Sequence, residues 1–349
     1  MAAKPSRGVT VVCTALLYAA ATLAVPGAAH AEPPKTLAQV QAEVASLYHQ
    51  AEAATESFNA AEEKVLAQQK NLVALAISLD AAQTRLATLK DQVGAMARAQ
   101  YRGGGMTDEV RLALSADPDT FLADASLAQR GARAANATIR DLTSTRTALD
   151  GYAHAATAAW EALVATRKKS ADARAQVESR LAEAKALLAS LREQERLRLQ
   201  RLEDETAYQA QLAWTRSDEA KKLAQLPRAA GDASAQGRRA VAFAAAQIGK
   251  PYVWGAGGPS AYDCSGLTQQ AWAAAGRTIP RTSQEQWRLL PHVPVDRMRP
   301  GDLVIYFDDA GHVGLYVGDG AIVHAPRPGR NVTMAGAGSM RILGVVRPG

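Results

Sequence analysis

The N-terminal half of the chain places an apolar residue at alternating intervals of four and three positions. The repeat starts at Val40 and ends at Met96, with Gln68 as its one polar member. An apolar seam of this spacing, kept over about eight heptads, is typical of a coiled coil. The segment YRGGG at 101–105 follows, and three glycines in a row do not sustain a helix. The pattern therefore predicts one long helix that ends close to residue 101.

A second helical region follows the first. We expect a shorter helical segment at about 107–148, broken near ADPDT at 116–120, and a second long helix at about 149–225. The two long arms have similar lengths, and a compact tip near 103–148 would join them. This favours an antiparallel hairpin over a parallel dimeric coil. The sequence thus assigns residues 32–226 to a helical coiled-coil hairpin.

The composition of the chain changes near residue 227. The last 110 residues, 240–349, hold 16 of the 26 glycines and 9 of the 15 prolines. Residues 227–239 are polar and rich in small side chains, which predicts an exposed linker. Short segments with β-branched residues and glycine turns predict an antiparallel sheet in a compact α+β domain at 240–349. The predicted strands are 302–307, 312–318, 321–325 and 341–347.

The first thirty residues have the pattern of a secretory signal peptide. Lys4 and Arg7 precede an apolar run, and small residues at 29–31 follow it. We assign 1–31 to a signal peptide, because the apolar run is shorter than the ~20 residues that a retained membrane anchor needs. The predicted location is therefore secreted and extracytoplasmic. The net charge of +6 suits an anionic surface such as a cell wall, and no arginine stripe with interleaved aromatics indicates a nucleic-acid partner.

A single cysteine remains once Cys13 is assigned to the leader. Cys264 stands at the start of a predicted helix, after a glycine-rich loop. The positive end of a helix favours a thiolate, so we expect a lowered thiol pKa and a nucleophile at this position. The alternative is a buried cysteine that acts as a small hydrophobe.

Two histidines lie at the ends of neighbouring predicted strands. His312 opens one strand and His324 closes the next, with the turn GDG at 318–320 between them. Their rings can therefore meet at one end of the sheet, with His312 as the base for Cys264 and His324 as its orienting group. His292, in a loop between two prolines, is a weaker candidate. A zinc site from Cys264, His312 and His324 is a further alternative, but it lacks paired-ligand spacing.

Five motifs of the second half occur together in one order: KPYVWGAGGPSAYDCSGLTQQAW, IPRTSQEQW, RPGDLVIYF, GHVGLYVGDG and AIVHAP. This set resembles the NlpC/P60 family of cell-wall peptidases, over residues 240–349. The resemblance implies a multidomain protein in which an all-α coiled-coil hairpin precedes an α+β papain-like domain with an antiparallel sheet.

The resemblance also implies roles for individual residues. It places a catalytic triad on Cys264, His312 and His324, and it gives Tyr252 a part in the oxyanion site. The implied activity is that of a cysteine peptidase which hydrolyses the D-glutamyl–diamino acid bond of peptidoglycan stem peptides, with no metal or organic cofactor. Four further residues match positions that line the substrate groove in the family. They are Asp263, Ser265, Arg281 and Ser283.

The first half is similar to the coils of actinobacterial Rip-type endopeptidases and of division hydrolases controlled by the FtsE–FtsX membrane complex. This resemblance implies a coil that docks on such a complex and restrains the catalytic domain. A plain spacer or an oligomerisation rod is the alternative for the coil. For the whole chain, the alternatives are a non-catalytic scaffold or activator at the division site, and an amidase or acyltransferase on the same fold.

Overall fold

Two long helices make up most of the N-terminal half in this computed structural model. Helix α1 spans Leu37–Arg102 and helix α2 spans Pro118–Ala189. The predicted signal peptide, the YRGGG glycines and residues 227–232 of the predicted linker lie outside the residues that the structure describes. The described residues are 35–102, 110, 118–225 and 233–349.

Helices α1 and α2 run antiparallel. Ser170 of α2 donates a hydrogen bond to Glu62 of α1, whereas Arg85, further along α1, pairs with Asp141, an earlier residue of α2. The predicted hairpin is therefore confirmed. The apolar seam is at least half-buried along most of α1, and only its last member, Met96, is largely exposed. Its fully buried members are Val40, Val44, Ala51, Ala54, Ala61, Val65, Ala82 and Leu89.

Part of the predicted compact tip near 103–148, residues 103–109 and 111–117, lies outside the described residues, and the structure differs from the prediction over 118–148. Residues 118–148 belong to the same unbroken helix as residues 149–189. Pro118 stands at the first position of this helix, where a missing N–H costs nothing. The break comes instead at residues 190–192, where the Arg192 backbone N–H donates to the Glu195 carboxylate at 2.8 Å and caps a new helix.

Two shorter helices carry the chain from this break toward the C-terminal domain. Helix α3 spans Glu193–Thr215 and helix α4 spans Asp218–Ala224. Helix α5, Ala235–Ala245, begins after the N-cap Ser234, so the last part of the predicted linker is helical. Residues 37–349 pack as one compact unit.

The C-terminal domain is built on a six-stranded antiparallel sheet, as predicted. The strand order is β1-β6-β2-β3-β4-β5. Two strands were not predicted, because β1 has two residues and β5 has the sequence TMAG, which is poor in β-branched side chains. Helix bounds are Cys264–Ala274 for α6 and Ser283–Leu289 for α7. Strand bounds are His292–Val293, Leu303–Tyr306, His312–Gly318, Ala321–His324, Thr333–Gly336 and Ile342–Val346 for β1 to β6.

The two faces of the sheet carry different partners. Leu303 and Ile305 of β2 face a core formed with α5 and α6, whereas Val304 and Tyr306 face a second core that Trp214 and Leu223 of α3 and α4 cover. This alternation follows from the two-residue period of a strand. Position 338 accommodates only glycine, because a Cβ there would lie 2.2 Å from the Cβ of Trp214. The end of the second arm therefore packs closely against the back of the sheet.

Candidate active site

Cys264 is the first residue of α6, as the sequence predicts. The Asp263 carboxylate accepts the backbone N–H of Gly266 at 2.6 Å and caps the helix. A side chain at Gly266 would meet the carbonyl oxygen of Ala256 at 2.3 Å, so the preceding loop can lie directly against the helix start. The thiol is 2% exposed. The loop and the cap together hold the sulfur at a fixed place on the domain.

His312 and His324 meet at one end of the sheet. The antiparallel pairing of β3 and β4 brings His312 Nε2 to 2.9 Å from His324 Nδ1. The backbone N–H of Val313, the residue after His312, interacts with the Cys264 sulfur. The structure thus brings the three predicted triad residues together. His292, the weaker candidate, lies instead on β1 against the Trp287 ring.

The three groups are neutral in this arrangement. Burial, with a smaller contribution from the Glu56 carboxyl, raises the pKa of the Cys264 thiol well above its ordinary value. Burial also lowers the pKa of His312 to about 4 and that of His324 well below its usual range. The helix N-terminus was expected to lower the thiol pKa, but exclusion of water outweighs it here.

Helix α1 supplies the groups that exclude this water. The Glu56 carboxyl accepts hydrogen bonds from the Ser265 hydroxyl at 2.7 Å and from the Ser283 backbone N–H at 3.0 Å. One of its oxygens also lies 3.5 Å from the Cys264 sulfur. Asn59, one turn further along, donates to Asp263 at 3.1 Å. Both side chains of the coil are buried against the C-terminal domain.

Glu52 covers the histidine end of the site. Its Oε1 lies 3.2 Å from His312 Nδ1, but the two atoms are not aligned for a hydrogen bond, and His312 Nδ1 has no such partner among the described residues. Burial raises the pKa of Glu52 to about 8 and that of Glu56 to about 8. With His312 uncharged, the contact at neutral pH joins two neutral groups and is not an ion pair.

The four predicted groove residues converge on the same spot. Arg281 forms a two-pronged ion pair with Asp263, with distances of 2.6 and 3.0 Å, and donates to the Ser265 hydroxyl at 2.8 Å. Ser283 contributes its backbone N–H to Glu56. These four residues therefore surround the Glu56 carboxyl next to the thiol.

Tyr252 lies in the same buried cluster as Cys264. Burial raises the pKa of its hydroxyl well above the ordinary value, so the group is a neutral donor. Among the described residues, no three His, Cys, Asp or Glu side chains converge in a way that could hold a metal ion.

Sequence reasoning missed Glu52, Glu56 and Asn59. They lie outside the apolar seam, at positions that face solvent in an ordinary coiled coil, and polar residues there look like a solvated surface. The sequence does hold a weak signal for a contact here, because two aromatic side chains of the coil, His49 and Phe58, lie close to these positions. Phe58 packs edge-to-face on Trp254 with ring centroids 5.2 Å apart, and His49 lies 3.2 Å from Asp309.

Comparisons with known proteins locate the family in the C-terminal part. A probable endopeptidase of Corynebacterium glutamicum is 45% identical over 96 residues, which are 28% of this chain and 46% of that protein. A probable endopeptidase of Mycobacterium tuberculosis is 40% identical over 101 residues, which are 29% of this chain and 26% of that protein. The chain thus spans less than half the length of the curated relatives that it matches.

A solved structure and a family model match the same part. The NlpC/p60 domain of the peptidoglycan hydrolase SagA is 33% identical, with 32% of this chain and 97% of that chain covered and a TM-score of 0.30. The model of the NlpC/P60 family matches residues 249–340, a range that contains Cys264, His312 and His324. The chain therefore carries an NlpC/P60 domain at its C-terminus, and this domain belongs to that family.

Proposed function

We propose that this chain is a secreted cysteine endopeptidase that cuts peptidoglycan stem peptides at the D-glutamyl–diamino acid bond and is kept latent by its own coil. One observation carries the proposal: in an NlpC/P60 domain, a Cys–His–His row is assembled and a glutamate of the coil lies over the thiol. The names of the relatives, probable endopeptidases and a peptidoglycan hydrolase, support the same reaction class.

The first chemical step is proton transfer from Cys264 to His312. Because His312 Nε2 pairs with His324 Nδ1, the lone pair that remains is on Nδ1 of His312, the buried atom without a hydrogen-bond partner. Once α1 leaves, water and the helix N-terminus lower the thiol pKa, and the thiolate–imidazolium pair becomes accessible. His324 fixes the ring orientation and the tautomer of His312.

The thiolate then attacks the γ-carbonyl carbon of the D-glutamyl residue. The electron pair of the C=O bond moves to oxygen, which backbone N–H groups at the start of α6 and the Tyr252 hydroxyl stabilise. The tetrahedral intermediate collapses as the imidazolium of His312 donates its proton to the leaving amine, which gives a thioester on Cys264. His312 then takes a proton from water, which hydrolyses the thioester and regenerates the thiol.

The coil opposes this sequence in two ways. Its side chains fill the groove around Ser265 and Ser283, so a peptide cannot enter. It also keeps the thiol protonated, because burial and the carboxyls beside it disfavour the negative sulfur. A latent form that is inactive both sterically and electrostatically follows from the same contact.

Secretion through the leader at 1–31 places the enzyme at the cell wall, where it acts in wall remodelling or cell separation. The partner that draws the coil away is expected to be a membrane complex of the FtsE–FtsX type. Such a partner would contact the part of the coil beyond the cleft, where Leu66, Ile77 and Trp160 are exposed. A non-catalytic scaffold has no use for an intact triad, and an amidase or acyltransferase differs only in its products.

The test uses the full chain with Asn59→Asp, which places a second carboxylate against the buried Asp263 and should expel α1. Muropeptides are incubated with this variant, and the products are identified by mass. We expect cuts between D-glutamate and the diamino acid that disappear when Cys264→Ala is added. The proposal is wrong if the opened chain cuts nothing, or if its products show another bond broken.

A further inference from the structure

The loop after His324 carries two arginines that the steps above do not use. Arg327 donates to the Glu203 carboxylate of α3 at 2.6 Å, and Arg330 contacts Glu203 and Asp204 at 3.2 Å each. The Arg327 guanidinium also lies 4.4 Å from the centre of the Tyr48 ring on α1. The two guanidinium groups are only 23% and 30% exposed. Both arms of the coil therefore cover this arginine pair.

A cavity of about 710 Å³ lies between α3 and this loop. His324, Arg327 and Arg330 line it, together with Tyr208 and Met334. A space of this size holds an amino acid or a short peptide end. The cavity thus extends from the orienting histidine of the triad to two partly buried guanidinium groups.

The position of the cavity relative to the cut follows from the proton path. His312 gives its proton to the leaving amine, so the leaving part must lie on the imidazole side of the thiol. His324 stands behind His312 on that side, and the arginines follow three and six residues later. Groups on this loop therefore face the amine component of the substrate, whereas Ser265 and Ser283 face the acyl component.

An arginine fork is matched to a carboxylate, and Glu203 already fills the fork with one. We propose that Arg327 and Arg330 form a carboxylate-binding subsite for the amine component, a diamino acid with a free carboxylate, and that Glu203 occupies this subsite at rest. The inference rests on the proposed function, and it adds a preference for the charge state of the leaving residue. It also gives the coil a third inhibitory carboxyl, in addition to Glu52 and Glu56.

The test compares two forms of one peptide, L-alanyl-γ-D-glutamyl-L-lysine with a free C-terminal carboxylate and the same peptide as the C-terminal amide. In the full chain carrying Asn59→Asp, kcat/KM for the acid should exceed that for the amide by about tenfold, the size of one charge-assisted contact. The ratio should fall to about one in Arg327→Gln and in Arg330→Gln. Because both peptides meet the same fraction of open molecules, the ratio does not depend on how often the coil leaves.

The control is Arg277→Gln, the same change at an exposed arginine of the same domain, which should keep the tenfold ratio. An equal preference for acid and amide in the Asn59→Asp chain overturns the inference, as does a preference for the acid that remains in both Arg327→Gln and Arg330→Gln. If neither peptide is cut at all, the proposed function fails, and calorimetric binding to the Asn59→Asp, Cys264→Ala chain then decides the inference. Tighter binding of the acid that is lost with Arg327→Gln supports the subsite, and equal or absent binding rules it out.

Discussion

Residues 52–59 and residues 66–77 lie on the same face of α1, because 52, 56, 59, 66, 73 and 77 follow one another in helical steps. The first stretch buries polar side chains, Glu52, Glu56 and Asn59, against the C-terminal domain. The second leaves apolar side chains in water: Leu66 is 53% exposed and Ile77 is 66% exposed. Both stretches invert the usual rule that apolar groups are inside and polar groups outside.

This difference points to two kinds of contact made by α1. The apolar contact with α2 holds the fold together, and we expect the polar contact with the cleft to be the one that is released. The seam between α1 and α2 is apolar and continuous, as a permanent interface is. The contact with the cleft combines the aromatic pair of Phe58 and Trp254 with carboxyl and amide groups, which lose hydration when they dock and regain it when they leave. We therefore expect docking of the first stretch to be easier to reverse than the apolar contact between α1 and α2.

The largest expected effect is the loss of kcat on substitution of the two triad histidines, which lie beneath residues 52–59. In the opened Asn59→Asp chain, His312→Ala should lower kcat by about a thousandfold or more, because the thiol loses its base and the leaving amine its acid. His324→Asn should cost less, because it removes an orienting group and leaves the base. Steady-state cleavage of a muropeptide measures both, and thermal unfolding checks that the folds are intact. A His312→Ala chain within tenfold of its parent would remove His312 from the mechanism.

The second effect concerns the docking contact itself. Asn59→Asp exchanges a donor for a carboxylate that faces Asp263 at the distance of the present 3.1 Å hydrogen bond. Two buried like charges repel strongly, so alkylation of Cys264 by iodoacetamide should quicken by more than about tenfold. Asn71→Asp makes the same chemical change at an exposed position of α1 and should leave the rate unchanged. Equal rates in the two variants would mean that the Asn59 contact does not hold the cleft closed.

The third effect is a pH dependence of docking. Glu52 and Glu56 have pKa values of about 8 when docked, above the ordinary value for a free glutamate. The docked form thus retains protons that the released form loses, so docking is strongest below the ordinary value and weakens as the pH rises toward 8. Each group that titrates this way contributes up to about 1.4 kcal/mol per pH unit.

Alkylation of Cys264 between pH 6 and 8.5 tests this dependence. The rate is compared at each pH with that of the Glu52→Gln, Glu56→Gln chain, whose thiol ionises in a similar site but whose amides do not titrate. The ratio of wild-type to variant rate should rise with pH. A flat ratio would show that the two carboxyls do not control release.

The smallest effect is expected in the second stretch. Val73→Gln and Ile77→Gln replace exposed side chains that touch nothing in the cleft, so alkylation of Cys264 should change less than twofold. The free energy of unfolding should shift by no more than about 0.5 kcal/mol. A large rise in the alkylation rate of either variant would show that the second stretch also contributes to docking. The contrast between the two stretches would then be wrong.

The sequence predicts features that depend on near neighbours. The seam from Val40 to Leu89 is buried where the heptad places it, and Cys264, His312 and His324 stand at the helix start and strand ends that local patterns predict. Each of these follows from a period or a turn within about ten residues. The strand at Thr333–Gly336 was missed because its pairing with β4 is what makes it a strand.

The docking of α1 in the cleft had only a weak local signal, the aromatic side chains Phe58 and His49 of the coil. Glu56 and Cys264 are 208 positions apart, and a glutamate at a solvent position of a coil looks ordinary by every short-range rule. The prediction of a lowered pKa for the Cys264 thiol was wrong for the same reason. A helix N-terminus predicts a lowered value, but the value depends on whether a remote helix has removed the water.

The length of α1 has a mechanical consequence. The helix has 66 residues, and its docking contacts occupy about two turns near one end, whereas the far end lies about 65 Å beyond Asn59 at 1.5 Å per residue. A sideways force at the far end acts through this long arm on contacts that span only about 10 Å. The helix would therefore act as a lever, in which a small force at the far end produces a larger force on the contacts that cover the thiol.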